Sequence, residues 1–320
     1  MGLNSKTRFI IKLLIIGLVL IVLYLFFWGR LNFICPWLIG FDKIETESSV
    51  IYYHKGEVNL KKFPKVDSLI VAVENFHNLK FQRKVQIVIS SNSKEHRRFN
   101  GHDVKFVTQP FLGRVYILYS REYFQTKVGA LYSYLQHELS HSIINQNITN
   151  SKLIGYPLWF LEGIATYSSR MLGHDGYPPL DTVRQRILRG YVINPSDWGK
   201  FGMASKGKTV NTYHLNDLYK YAYSEFAFIV DDLIEKYGEP KLIRLLHLSL
   251  NDQKFDIAFK LIYKIEFEDY FYTLINVEKL PPNVHRSVQS KFQFGVWLRP
   301  TSYLKARLMA LRINREQHAA

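Results

Sequence analysis

Residues 137–141 of the chain read His137-Glu138-Leu139-Ser140-His141. Two histidines four apart on a helix share a face, so both imidazoles can reach one metal ion. Two imidazole nitrogens suit zinc and leave room for a carboxylate and a water. Glu138, one position on, is angled to hold that water rather than bind the ion, and can take its proton. Leu131, Leu135, Leu139 and Ile143 recur around the motif at helical spacing and supply an apolar face.

A catalytic zinc takes three protein ligands and keeps a fourth position open. Downstream the chain reads Trp159-Phe160-Leu161-Glu162-Gly163-Ile164-Ala165, and 20 residues separate His141 from Glu162. That is room for a loop and a returning helix. A lone carboxylate among Trp, Phe, Leu and Ile is costly to bury unless something pairs with it, and a zinc ion does. The expected ligand set is therefore His137, His141 and Glu162, with one Zn2+ per chain and Glu138 as general base.

The H-E-x-x-H helix followed by W-x-x-E-G-x-A resembles the gluzincin metallopeptidases, in particular the peptidase MA-like domains related to the zinc aminopeptidases and thermolysin-like zincins. The resemblance spans roughly residues 76–271, and its first two motifs carry it. A third segment, from Tyr223 to Gly238, fits the helix at whose head these families place a tyrosine that stabilises the tetrahedral intermediate. In that register Tyr223 takes the role, with Tyr221 and His214 as the alternative donors. The resemblance implies a zincin-like α+β fold: a small twisted sheet, a metal-binding helix beneath it, and an all-helical half that follows. It also implies an edge strand ahead of the active-site helix that pairs with an extended peptide, and 114–120 is the segment at that place. Aminopeptidases of this group carry Gly-x-Met-Glu-Asn near that strand, and its Glu holds the free amine. Here the strand holds no acid and Glu122 lies just beyond it, so the expected activity is not strict aminopeptidase cleavage. Arg114 in that neighbourhood would instead favour acidic substrates.

The elements that must position these residues follow from periodicity. Helical spacing appears at 66–79, 127–145, 157–170, 219–237, 241–250 and 254–262. Pro157 suits a first turn, and Gly238 with Pro240 suits a stop. Strand-like alternation appears at 84–90 and 114–120, and the polar stretch 91–103 reads as a loop. The expected order is mixed α/β at 50–125, then a helical metallopeptidase part at 126–280. A stalk at 31–49 precedes them and a basic tail at 281–320 follows.

Ahead of all this, residues 9–28 are almost wholly apolar, interrupted only by Lys12, and match the length of a bilayer-spanning helix if Lys12 snorkels to the interface. Tyr24, Trp28 and Trp37 are aromatic residues suited to the far interface. No small-x-small pair follows, which favours an uncleaved anchor over a signal peptide. Lys6, Arg8 and Lys12 precede the segment, so residues 1–30 are read as a cytoplasmic N-terminus and anchor. The rest would then lie outside, as in a bacterial cell envelope. A helix bearing Gln136, Ser140 and Asn145 is no membrane span, which argues against intramembrane proteolysis.

The single cysteine, Cys35, excludes intrachain disulfides and Cys-rich metal sites, and Ile34 before it argues against lipidation. The formal net charge is +15, but Lys and Arg are scattered and no nucleic-acid signature accompanies them. The expected partners are a peptide or protein substrate and membrane lipid, with no nucleic acid. The expected function is a membrane-anchored zinc peptidase. The alternative is a catalytically silent zincin-fold binding or assembly factor at the membrane surface.

Overall fold

A computed structural model describes residues 4–275 except 29–30, 32–33, 36, 59, 61–62, 64, 102–103, 111–112, 190 and 202–214. His214 and the expected basic tail lie outside the described residues. The fold is mixed α/β. The chain divides into two units, one of residues 1–75 and 79–146, the other of residues 76–78 and the chain from 147 on.

The first unit opens with α1 (Ser5–Phe27), 23 residues of mean hydropathy 3.0, with none of its residues buried. At 1.5 Å per residue it is long and apolar enough to cross a bilayer. Asn4 caps it by accepting the Thr7 N–H. Next come β1 (Asp42–Glu45), β2 (Ser49–Tyr53), α2 (Val66–His77), β3 (Val85–Ser90), α3 (Ser93–Asn100), β4 (Phe106–Gln109) and β5 (Arg114–Leu118). A π turn at Glu122–Thr126 leads into α4 (Val128–Asn147).

The five strands form one sheet in the order β1-β2-β3-β5-β4. β2, β3 and β5 are parallel, while β1 and β4 pair antiparallel at the two sides. The period of two sorts the side chains between faces. Val88 and Tyr116 face one side with Phe99 of α3, and Leu38, Phe41, Tyr52 and Val107 pack against them. Phe106 and Thr108, opposite Ile117 and Val115 in register, face the other side and meet α4. Both faces are covered, which is why β3 and β5 read as near-continuous apolar runs.

Three sequence expectations need correction. The stretch 91–103 is not a loop throughout. The Asn92 side chain accepts the Glu95 N–H at 2.8 Å, and Gly101 closes α3 at φ +80°. The helix is polar but anchors on buried Phe99, a tertiary contact that composition hides. The segment read as a stalk contributes strand β1 and the fully buried Cys35. And 114–120 is not an edge strand: β5 lies between β3 and β4, and β4 forms that side of the sheet among the described residues.

The second unit is helical among its described residues: α5 (Asn150–Leu153), α6 (Leu158–Ser168), α7 (Leu180–Leu188), a short 3-10 turn at Pro195–Trp198, α8 (Leu215–Tyr237), α9 (Glu239–Asn251), α10 (Phe255–Tyr263) and α11 (Phe267–Leu274). Pro157 sits at the N-cap of α6, and Gly238 at φ +84° separates α8 from α9. Trp159 of α6 stacks on Phe267 at 4.4 Å and meets Phe255 edge-on at 5.6 Å. Such aromatic pairs add to the area they bury and fix the helix packing.

Candidate metal centre

α4 presents the His-Glu-x-x-His motif because its opposite stripe is committed to the core. Leu131, Leu135, Leu139 and Ile143 are fully buried. Each such side chain contributes roughly 1.5–3 kcal/mol of burial, enough to offset polar groups held on the same helix. Three contacts fix α4 on the sheet. Tyr134 stacks on Phe106 at 4.6 Å with the rings nearly parallel. Ser142 Oγ donates to the Gly113 carbonyl at 2.7 Å. Gln146 Oε1 accepts the Arg83 N–H at 3.0 Å. Gly113 is at φ +58°, and a Cβ there would press on Gln146 at 3.3 Å, so a glycine suits this corner.

Away from that anchoring stripe, the Nε2 atoms of His137 and His141 converge to 3.1 Å, with the rings nearly perpendicular at 82°. Two neutral imidazoles in contact can share only one proton between them. A cation at this point could be bound by both nitrogens at once. The ligand atoms of His137, His141 and Glu162 all lie within 4.8 Å of one another, His137 buried and the other two half-buried. Two nitrogens and a carboxylate oxygen gathered in this way can hold a metal ion, and the donor set is the one a divalent zinc or similar ion accepts.

Glu138 is buried, 7% exposed, and is not among the three gathered donors. Thr108 Oγ1 lies 2.8 Å from both the Glu138 backbone carbonyl and its Oε2. A hydroxyl has one proton to give, so it donates to one of these at a time and keeps the carboxylate beside the helix. Thr108 was not legible as a site residue, because only the pairing of β4 with β5 brings it to α4.

Glu162 rides on α6 between buried Trp159, Phe160, Leu161, Ile164 and Ala165. The residue after it explains the helix packing. A Cβ on Gly163 would stand 2.7 Å from the Phe226 carbonyl oxygen, so α6 and α8 meet backbone to backbone at this point. Gly163→Ala is expected to force the helices apart, cost about 1–3 kcal/mol of stability and displace Glu162. Gly129 of α4 has nothing within 4 Å of its Cβ position, so Gly129→Ala should be neutral or stabilise by up to about 1 kcal/mol. Thermal unfolding with metal content reads both; equal Tm values for the two variants would refute the close-approach account.

On α8, Tyr223 is half-buried and packs edge-on against Trp198 at 6.4 Å and Tyr219 at 6.3 Å. Tyr221 is 1% exposed and its hydroxyl donates to the Tyr191 carbonyl at 2.6 Å. One turn on, the fully buried Glu225 accepts the Ile193 N–H at 3.0 Å. Burial pushes its carboxyl well above the usual carboxylate range, opposed in part by Ile193 and Tyr221. Tyr221 and Glu225 together hold the segment that carries Trp198, a structural task.

One sequence expectation fails here. Arg114 is 1% exposed and spends its guanidinium on the Cys35 carbonyl at 3.0 Å, Gln86 Oε1 at 2.9 Å and the Tyr116 hydroxyl at 3.2 Å, so it does not select acidic substrates. Glu122 pairs with Lys127 at 2.7 Å on the surface. In comparisons with known proteins, no protein-family model matches the chain, and no curated protein matches its sequence at a significant level.

Proposed function

We propose that the protein is a membrane-anchored zinc metallopeptidase of gluzincin type. The observation that carries the reading is the gathering of the His137, His141 and Glu162 ligand atoms within 4.8 Å of one another, with Glu138 next to His137 in the chain and bonded to Thr108. A divalent ion held by the three ligands would supply Lewis acidity toward a peptide carbonyl. Glu138 takes the proton of the attacking water and passes it to the leaving amine. Tyr223 donates a hydrogen bond to the oxyanion. An extended substrate adds to the outer edge of β4, whose Thr108 already touches the general base, rather than to β5. Neither β4 nor β5 carries an acidic residue that could hold a free amine, so internal peptide bonds are the expected targets.

The test uses the purified full-length, zinc-loaded chain and a library of internally quenched peptides blocked at the N-terminus. Tyr223→Phe is expected to keep the metal and lose roughly 10²–10³-fold in turnover. Tyr221→Phe should leave the Tyr191 carbonyl short of a donor and cost about 1–3 kcal/mol of stability instead. The reverse pattern would move the oxyanion role to Tyr221. A parent chain that binds zinc but cuts nothing would favour the silent binding factor.

The anchor is α1, with the N-terminus in the cytoplasm and the remainder outside. Alkaline extraction should leave the chain in the membrane, and a reporter fused after Ala320 should be active only on the extracytoplasmic side. Recovery of a soluble chain that begins near residue 30 would establish a cleaved signal instead.

A further inference from the structure

The end of α1 does not hang from the first unit by a loose tether. Trp37 stacks on Phe27, with ring centroids 6.1 Å apart and planes at 24°, and meets Phe26 edge-on at 6.4 Å. Just before it, Cys35 is fully buried, and its carbonyl accepts the Arg114 guanidinium at 3.0 Å. Just after it, Leu38 and Phe41 pack onto the cluster of Val88, Phe99 and Tyr116, and Phe41 meets Phe99 edge-on at 5.3 Å. Cys35, Leu38 and Phe41 therefore belong to the sheet face opposite α4, and Trp37 among them touches the last two residues of α1.

In this well-anchored segment two large apolar side chains point outward. Trp37 is 62% exposed and Ile39 is 60% exposed, and Trp28 at the end of α1 is 50% exposed. Water is a poor environment for this collar. Because Trp37 rests on Phe27, the last residue of α1, it sits at the depth where that helix leaves the hydrocarbon. Tryptophan favours this depth, since its ring is apolar and its N–H is wet.

From this continuity we infer that Trp28, Trp37 and Ile39 seat the first unit on the bilayer surface, inserted at the headgroup–acyl boundary. The occupant is lipid, and the inference rests on reading α1 as a membrane span. The sheet is then the layer between the lipid-facing segment and α4, so the His-Glu-x-x-His helix is held at a fixed, short height above the membrane. A long flexible stalk would let the same helix sample any height. Substrates whose scissile bonds lie close to the membrane surface are the ones this arrangement favours.

The test is spin-label accessibility on the full chain in vesicles of phosphatidylcholine and phosphatidylglycerol. Nitroxides are placed singly at Ile39→Cys, at Leu18→Cys inside α1 and at Val71→Cys on α2, in a Cys35→Ser background that keeps the donor to the Trp37 carbonyl. All three positions are more than half exposed, so the labels should not disturb packing. Ile39 is expected to resemble Leu18, with strong collisions with oxygen and severalfold weaker collisions with an aqueous nickel chelate than Val71. Quenching by brominated lipid gives a cysteine-free check: in a Trp28→Phe background, Trp37→Phe should remove most of the quenchable emission. If Leu18 is lipid-embedded but Ile39 is as open to nickel as Val71, the seating is wrong and the anchor stands. If Leu18 is itself open to nickel, the anchor reading fails and this inference fails with it.

Discussion

Glu138→Gln is expected to keep bound metal and fold while hydrolysis falls by roughly 10²–10⁴-fold, the usual cost of removing a general base. The amide is close to the carboxylate in size and still accepts the Thr108 hydroxyl, which lies 2.8 Å from Oε2 in the parent chain. What it lacks is the capacity to take a proton from water. Metal analysis, thermal unfolding and turnover of the quenched-peptide library are read on the same preparation. A variant that cleaves as fast as the parent would place the activity in a contaminant or elsewhere in the chain. Thr108→Val, which keeps the shape of the side chain and removes the hydroxyl, should give a smaller loss in the same direction. It leaves the carboxylate in place but no longer oriented.

The second large effect concerns the metal itself. The parent chain should carry about one zinc, and His137→Ala, His141→Ala and Glu162→Ala should each reduce occupancy sharply and abolish turnover, because three ligands complete a catalytic site with one position open. The two histidines are separable from a purely structural role. Their Nε2 atoms are 3.1 Å apart, so one ion can engage both, and an ion that binds the folded chain should stabilise it. In the alanine variants that stabilisation disappears, so the difference in Tm between loaded and stripped protein should shrink toward zero. Full zinc content in Glu162→Ala would remove Glu162 from the ligand set while leaving the histidine pair intact.

The sequence by itself determined the parts of this protein that local spacing controls. A four-residue repeat of Leu131, Leu135 and Leu139 is enough to make a helix, and the same repeat puts His137 and His141 on one face of it. The apolar run of α1 needs no partner to be legible, since its length against the bilayer is its signature. Glu162 was also legible, because a carboxylate among Trp159, Phe160 and Ile164 has to be compensated by something.

What only the tertiary structure decided are the long-range neighbours. Strand order places β5 inside the sheet and β4 outside it. Neither 106–109 nor 114–118 taken alone states its place in the sheet, because each is a short segment whose pairing partners lie elsewhere in the chain. That order in turn brings Thr108 to Glu138 and turns Arg114 inward to the Cys35 carbonyl, where the sequence suggested a surface cation. Gly163 reads as a helix-weakening residue until the backbone of Phe226 is found 2.7 Å from where its Cβ would be. Periodicity records which way a side chain points from its own element. Which element it meets there is set by contacts between residues far apart in the chain, and these leave no period to read.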